Sequence, residues 1–172
     1  MVRAIFPGTF DPIHYGHIDI ARRAVRLFDE LIIAVYDKPM KSLLFSPDER
    51  ITMVREAVDG DTKIKVMGYS GLTVEFARKV DAQVIVRGLR VFSDFEFEFR
   101  MALANHRLAQ DVEIVAFITN EEHTFLSSTT VREIAMLDGD VSSMVPPQVE
   151  MALKRKVGEM AGEDSPPNAL RD

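Results

Sequence analysis

Four short segments hold most of the residues whose types and spacing suit chemistry. The first is Phe6-Pro7-Gly8-Thr9-Phe10-Asp11-Pro12-Ile13-His14-Tyr15-Gly16-His17, with two imidazoles three residues apart. The second holds Lys38 and Lys41, the third is Arg87-Gly88-Leu89-Arg90, and the fourth is Leu126-Ser127-Ser128-Thr129-Thr130-Val131-Arg132. Imidazoles, cations, hydroxyls and the N–H groups of helix N-termini all stabilise bound phosphate, and glycines let a backbone approach a ligand closely. Taken singly, each segment has a plainer reading. Gly-Thr-Phe-Asp-Pro is a turn, Ser127–Thr130 is a helix N-cap, Lys38 and Lys41 are loop charges, and Arg87 and Arg90 can pair with Asp94, Glu96 or Glu98. Two histidines at this spacing can also bind zinc, but no third ligand with suitable spacing accompanies them.

The case for phosphate chemistry therefore depends on whether the fold brings the segments together. Short apolar or β-branched runs at Val2–Phe6, Glu30–Tyr36, Thr62–Met67, Gln83–Arg87 and Glu113–Ile118 read as five strands. A Pro-Gly turn is expected after the first. Amphipathic stretches over Gly16–Phe28, Pro47–Val58 and Leu72–Val80 read as helices, the second opened by Ser46 as N-cap and Pro47 at the first helical position. Over Asp94–Ala109 the signals conflict: Phe95, Phe97 and Phe99 alternate as in a strand, while Phe95, Phe99 and Leu103 share one helical stripe. Length and the Ala-, Leu- and Arg-rich continuation predict a helix. Its phenylalanines, with Phe92, are expected in the core or at a subunit contact. Two further helices are predicted at Ser128–Leu137 and Pro147–Met160.

Strands alternating with helices imply right-handed βαβ crossovers. The expected fold is α/β: a Rossmann-like, doubly wound, five-stranded parallel sheet with helices on both faces and C-terminal helices. Ligands of such sheets bind beyond the carboxyl ends of the strands, where all four segments fall. One domain over residues 1–161 is expected, with 162–172, polar and containing Pro-Pro, as a flexible tail.

The 172 residues carry 21 Lys and Arg against 27 Asp and Glu, a formal charge of −6, which disfavours a nucleic-acid partner. No cysteine is present, so thiolate metal sites, disulfides and a Cys nucleophile are excluded. No apolar run approaches the ~20 residues that span a bilayer. Pro7, Gly8 and Asp11 interrupt any signal-peptide core. The expectation is a soluble, cytoplasmic protein without a membrane partner.

Pro7–Pro12 with His14-Tyr15-Gly16-His17 resembles the first signature of the HxGH nucleotidyltransferases, and Leu126–Arg132 resembles their second, ISSTxxR. Within that superfamily the chain resembles the bacterial phosphopantetheine adenylyltransferase family from about Arg3 to Leu153. Gly16-His17-Ile18-Asp19-Ile20, Arg87–Arg90 and Asp94-Phe95-Glu96 match that family in particular. The resemblance implies AMP transfer from ATP to 4′-phosphopantetheine, giving 3′-dephospho-coenzyme A and pyrophosphate. It implies His17 as transition-state stabiliser, with Lys41 and Arg90 also catalytic. ATP would meet Thr9, Phe10, His14, His17, Gly88, Leu89, Arg90 and Glu98, and the segment His123, Thr124, Phe125, Leu126, Ser127, Ser128 and Thr129. Ser128 and Thr129 would offer hydroxyls and backbone N–H groups to the β- and γ-phosphates. The acceptor would meet Thr9, Lys41, Thr73 and Arg87. Magnesium held mainly by phosphates and water, a homohexamer, and inhibition by coenzyme A are implied in the same way.

The chain departs from the family pattern in having His14 in place of a frequent Thr, His123 in place of a common Trp, and Gly71 in place of a frequent Asp. Arg132 stands where the family sometimes has Lys. Other acceptors are conceivable for an HxGH transferase, notably nicotinamide mononucleotide or a CDP-alcohol. Lys41 and Arg87–Arg90 argue against them. A class I aminoacyl-tRNA synthetase fragment shares HxGH, but this chain is too short and too acidic to add a tRNA-binding part. A nucleotide sensor without catalysis conflicts with the intact histidine pair beside Lys41, Arg87 and Arg90.

Overall fold

The computed structural model describes residues 1–38 and 42–163. Five strands, β1 (Arg3–Gly8), β2 (Glu30–Tyr36), β3 (Ile64–Tyr69), β4 (Val84–Leu89) and β5 (Glu113–Ile118), form one parallel sheet in the order β3-β2-β1-β4-β5. The helices are α1 (Tyr15–Ala24), α2 (Pro47–Ala57), α3 (Thr73–Lys79), α4 (Phe92–Leu108), α5 (Ser128–Met136) and α6 (Pro147–Glu163). A single 3-10 turn, Glu121–His123, follows β5.

Alternation along the central strands sorts their side chains to two cores. Ala4, Phe6, Leu31, Ile33 and Val35 pack with Ile18 and Ala21 of α1, Val54 of α2, Val131 of α5 and Leu153 of α6. Ile5, Ile32, Ala34 and Ile85 face the other way, onto Val74, Phe76 and Ala77 of α3 and onto Ala109 and Val112. Helices thus cover both faces, as a buried parallel sheet requires.

Three sequence expectations need correction. Pro7 and Gly8 do not turn: they continue β1, paired with Ala34 and Val35 of β2. Proline is accommodated because the ladder toward β4 covers only Ala4 and Ile5, beyond which β1 and β4 part. The phenylalanines of α4 are not core residues of the chain: Phe92 is 83% exposed and Phe95, Phe97 and Phe99 about half exposed. Phe95 stacks on Phe99 at a centroid distance of 5.8 Å, outside both clusters. Finally, α6 runs to Glu163, two residues into the segment expected as tail. The rest of that segment, and Lys41, lie outside the described residues.

The parting of β1 and β4 is the place where strand order reverses, since β2 and β3 lie on one side of β1 and β4 and β5 on the other. Such a crevice is where open α/β sheets bind ligands.

Candidate active site

The loop leaving β1 is shaped by its own side chains. Phe10 takes a positive φ of 48° and is buried, its ring against Gly8, where a Cβ would lie 3.0 Å away. The Asp11 carboxylate, fully buried, accepts from the Leu44 and Phe45 backbone N–H groups at 2.9 Å each and from Arg132 at 3.2 Å. Arg132 also donates to the Asp11 carbonyl, and the Ser128 hydroxyl donates to Pro12 O at 2.8 Å. The first and second signatures are therefore bound to each other directly.

Arg50 of α2 completes this frame and escaped the sequence reading. It is fully buried and donates to Thr9 O (2.6 Å), Tyr36 O (2.7 Å) and Phe45 O (3.2 Å), tying the β1 loop to the end of β2. Burial lowers its pKa, and the charges of Asp11 and Asp37 oppose the fall. The signal was its position on the apolar stripe of α2, three and four residues before Met53 and Val54.

His14 is the N-cap of α1 and His17 its third residue. Their rings stack at 3.6 Å between centroids, and Phe10 meets His17 edge-on at 4.9 Å. The glycine between the histidines has a steric cause: a Cβ on Gly16 would sit 3.1 Å from the His14 imidazole. The His14 backbone N–H donates to His17 Nδ1 at 3.3 Å. Nδ1 therefore carries a lone pair, and the proton of neutral His17 is on Nε2. Burial, then the charges of Arg90 and Arg87, draw the His17 pKa down from 6.5 to about 3. Burial also lowers His14, assisted by His17, Arg90 and His123. At neutral pH both are uncharged, so His17 offers an N–H donor rather than a charge.

Two cavities meet here. The first, of 290 Å³, is lined by Thr9, Phe10, His14 and His17 of the first segment, by Gly88, Arg90 and Glu98, and by His123, Ser127, Ser128 and Thr129. The N-termini of α1 and α5 open onto it, and Ser127 caps α5 by accepting from the Thr130 N–H at 3.0 Å. The second, of 580 Å³, is lined by Thr9, Thr73, Tyr36, Tyr69, Leu72, Phe97, Met101 and Asn105, among others. Arg87 and Glu98 belong to both cavities, as do Pro7, Gly8 and Thr9.

Not every predicted residue lines a cavity. Leu126 is buried and its carbonyl accepts from Arg90 at 2.7 Å. The Thr124 hydroxyl donates to Asn120 O at 3.2 Å, Phe125 points outward at 59% exposure, and Leu89 ends β4 opposite Ile118. The Ser128 hydroxyl hydrogen is held by Pro12, which leaves its oxygen only as an acceptor. Arg90 is held in two directions, by Leu126 and by Asp94 at 3.0 Å. Burial works against ionised Asp94, but the hydrogen bonds from Arg90 outweigh it and keep the carboxyl below its usual range. Thr119 lines the first cavity without having been named from the sequence, and Asp94 and Ile20 line it without having been assigned to the site; Thr119 follows β5 directly, at the edge where the other segments gather.

A five-stranded parallel sheet with paired histidines at its first helix, beside the reversal of strand order, defines a nucleotidyltransferase of the cytidylyltransferase-like class. The model of the cytidylyltransferase-like family matches residues 5–134. The chain belongs, more narrowly, to the phosphopantetheine adenylyltransferase family. It is 53% identical over 158 residues to the phosphopantetheine adenylyltransferase of Roseiflexus castenholzii, covering 92% of this chain and 99% of that one. It is 48% identical over 153 residues to that of Desulfitobacterium hafniense, covering 89% and 94%. With that of Ralstonia pickettii it shares 49% identity over 162 residues, covering 94% and 97%.

Proposed function

We propose that this chain transfers AMP from ATP to 4′-phosphopantetheine, releasing pyrophosphate and forming 3′-dephospho-coenzyme A. The observation that carries the reading is Arg87, a cation on the wall between the two cavities. A phosphate held there lies beside the histidine pair, while an elongated arm extends past Tyr36, Tyr69, Leu72 and Met101. ATP takes the first cavity, its phosphates toward the N-termini of α1 and α5, where backbone N–H groups favour anions. Thr9 and Thr73 accompany the acceptor, and Lys41 adds a cation to the same phosphate.

An oxygen of the acceptor phosphate attacks the α-phosphorus; that P–O bond forms while the bond to the β-phosphate oxygen breaks, and pyrophosphate leaves with the electron pair. A phosphate monoester has a second pKa of about 6, so the nucleophile is already ionised at neutral pH. No general base is needed, in keeping with a His17 that holds its lone pair on Nδ1 against the His14 N–H. His17 Nε2–H donates to the oxygens around the α-phosphorus as charge gathers there, and Arg90 and Lys41 stabilise the same charge.

Magnesium, when bound, would be held mainly by phosphate oxygens and water rather than by side chains, and would supply positive charge toward the leaving pyrophosphate. The donor set fits this arrangement, because the cavity carboxylates Asp94 and Glu98 are already committed to Arg90 and Arg87. No helix among the described residues is long and apolar enough to cross a membrane, and we place the activity in the cytoplasm. A homohexamer accounts for the exposed phenylalanines of α4, and coenzyme A, which shares the acceptor's arm, is the expected inhibitor.

The test is pyrophosphate release from ATP in the presence of each candidate acceptor. Turnover with 4′-phosphopantetheine alone supports the reading. Turnover only with nicotinamide mononucleotide, or ATP binding without pyrophosphate, refutes it.

A further inference from the structure

Three buried side-chain polar atoms of the described residues have no hydrogen-bond partner: His14 Nδ1, Asp37 Oδ1 and Thr119 Oγ1. Two of them, on His14 and Thr119, belong to residues lining the first cavity. His14 stands at the N-terminus of α1, among the groups suited to phosphate. Thr119 stands apart from that set, on the other side of β4, just past the end of edge strand β5.

Thr119 is 8% exposed. Its backbone N–H is satisfied by Leu89 O at 2.8 Å, while its hydroxyl lacks a partner. A hydroxyl taken from water and left unpaired is destabilising, whereas valine would fill the same volume without that loss. The hydroxyl is explained if a ligand completes it. Two uncharged residues of the same lining, Gly88 and Ile20, pack against each other, and a Cβ on Gly88 would come within 2.5 Å of Ile20 Cδ1. Such a wall suits the flat face of a heterocycle and offers nothing to a phosphate.

We propose that Thr119 Oγ1 hydrogen-bonds the polar edge of the adenine ring, making Thr119 a base-reading residue of the nucleotide cavity. The inference rests on the reading of that cavity as the ATP site. A hydroxyl both donates and accepts, so it serves the exocyclic amino group and the adjacent ring nitrogen of adenine. A site built to pair with an amino group discriminates against an analogue that lacks it.

The experiment compares wild type, Thr119→Val and Thr119→Ser with ATP and with purine riboside 5′-triphosphate, which lacks the 6-amino group. Initial rates are measured at saturating 4′-phosphopantetheine, with direct calorimetric titration of each nucleotide and a thermal melt of each variant. Thr119→Val should raise the KM and Kd for ATP roughly three- to tenfold, the effect of one neutral hydrogen bond. It should leave kcat within about twofold and weaken the analogue clearly less than ATP, because the analogue keeps only the contact to the ring nitrogen. Its Tm should equal or exceed that of wild type, and Thr119→Ser should behave as wild type. An unchanged ATP affinity in Thr119→Val, or an equal loss for ATP and the analogue, overturns the role given to Thr119. Wild-type protein that releases no pyrophosphate overturns the adenylyltransferase reading itself, a result distinct from either of these.

Discussion

Arg87 grips Glu98 through two guanidinium nitrogens, at 2.7 and 2.5 Å, on the wall common to both cavities. Its third nitrogen donates to Pro7 O at 3.0 Å, so each guanidinium nitrogen already has an acceptor, and the charge is already paired with Glu98, before substrate arrives. An incoming acceptor phosphate must therefore compete with the Glu98 carboxylate. Glu98→Gln removes that competitor's charge and should lower the KM for 4′-phosphopantetheine roughly threefold, the scale of a partly exposed ion pair. Arg87→Ala should raise the same KM tenfold or more, in line with about 1.5–3 kcal/mol for a hydrogen bond to a charged group. Initial rates with the acceptor varied decide both; a higher acceptor KM in Glu98→Gln would contradict the competition.

His17→Ala should lower kcat by roughly 10²–10³ while the KM values change little, the pattern of a donor that matters in the transition state. Near-normal kcat in that variant would remove His17 from the reaction.

The pH dependence of stability follows from the two histidines, His14 buried and His17 half-buried in the cavity wall. In the unfolded chain each takes up a proton near pH 6.5, whereas folded His17 does so only near pH 3 and folded His14 well below 6.5. Between those limits the unfolded state binds more protons, so stability rises with pH. Their contribution is complete above pH 6.5 and is lost as pH falls toward 3. The urea midpoint should drop between pH 7 and pH 5, and a His14→Asn, His17→Asn double variant should show a flatter dependence. An equally steep fall in that variant would assign the acid sensitivity elsewhere. Activity, by contrast, should show its acid limb near pH 6, from the acceptor phosphate rather than from His17.

Arg50→Met leaves the carbonyls of Thr9, Tyr36 and Phe45 without their donor inside the core. The expected loss is about 3 kcal/mol or more, a fall in Tm of roughly 10 °C for a domain of this size. Arg50→Lys, which keeps the charge but not the planar fork, should recover only part of it. Thermal melts measure this directly; a Tm within about 2 °C of wild type would show that the carbonyls find other donors.

Much of this molecule was legible in one dimension. Strand β2 falls where the pattern put it, because burial on both faces demands continuous apolar residues, and edge strand β5 falls there too although half of its residues are exposed. The Ser46 cap and Pro47 marked the start of α2 through local hydrogen bonding. Less legible were residues whose meaning depends on distant partners. The segment at Pro7-Gly8 looks like a turn until β2 is placed beside it, and Arg50 looks like a surface charge until three carbonyls close around it. The α4 phenylalanines have the composition of a core, yet nothing in their own segment says which way the helix faces.

Residue type and spacing determined the class of fold and supplied groups suited to phosphate, and resemblance to a known family identified the two signatures. Those properties arise from short-range constraints: strand and helix periodicity, capping, and the side chains a phosphate needs. Tertiary structure decided the working state of each group. It put Arg87 against Glu98, turned the His14 N–H onto His17 Nδ1 and so left the proton on Nε2, and isolated the Thr119 hydroxyl in the cavity wall. Charge, tautomer and hydrogen-bond vacancy are set by neighbours from strands and loops remote in sequence, and only the closed sheet brings those neighbours within reach.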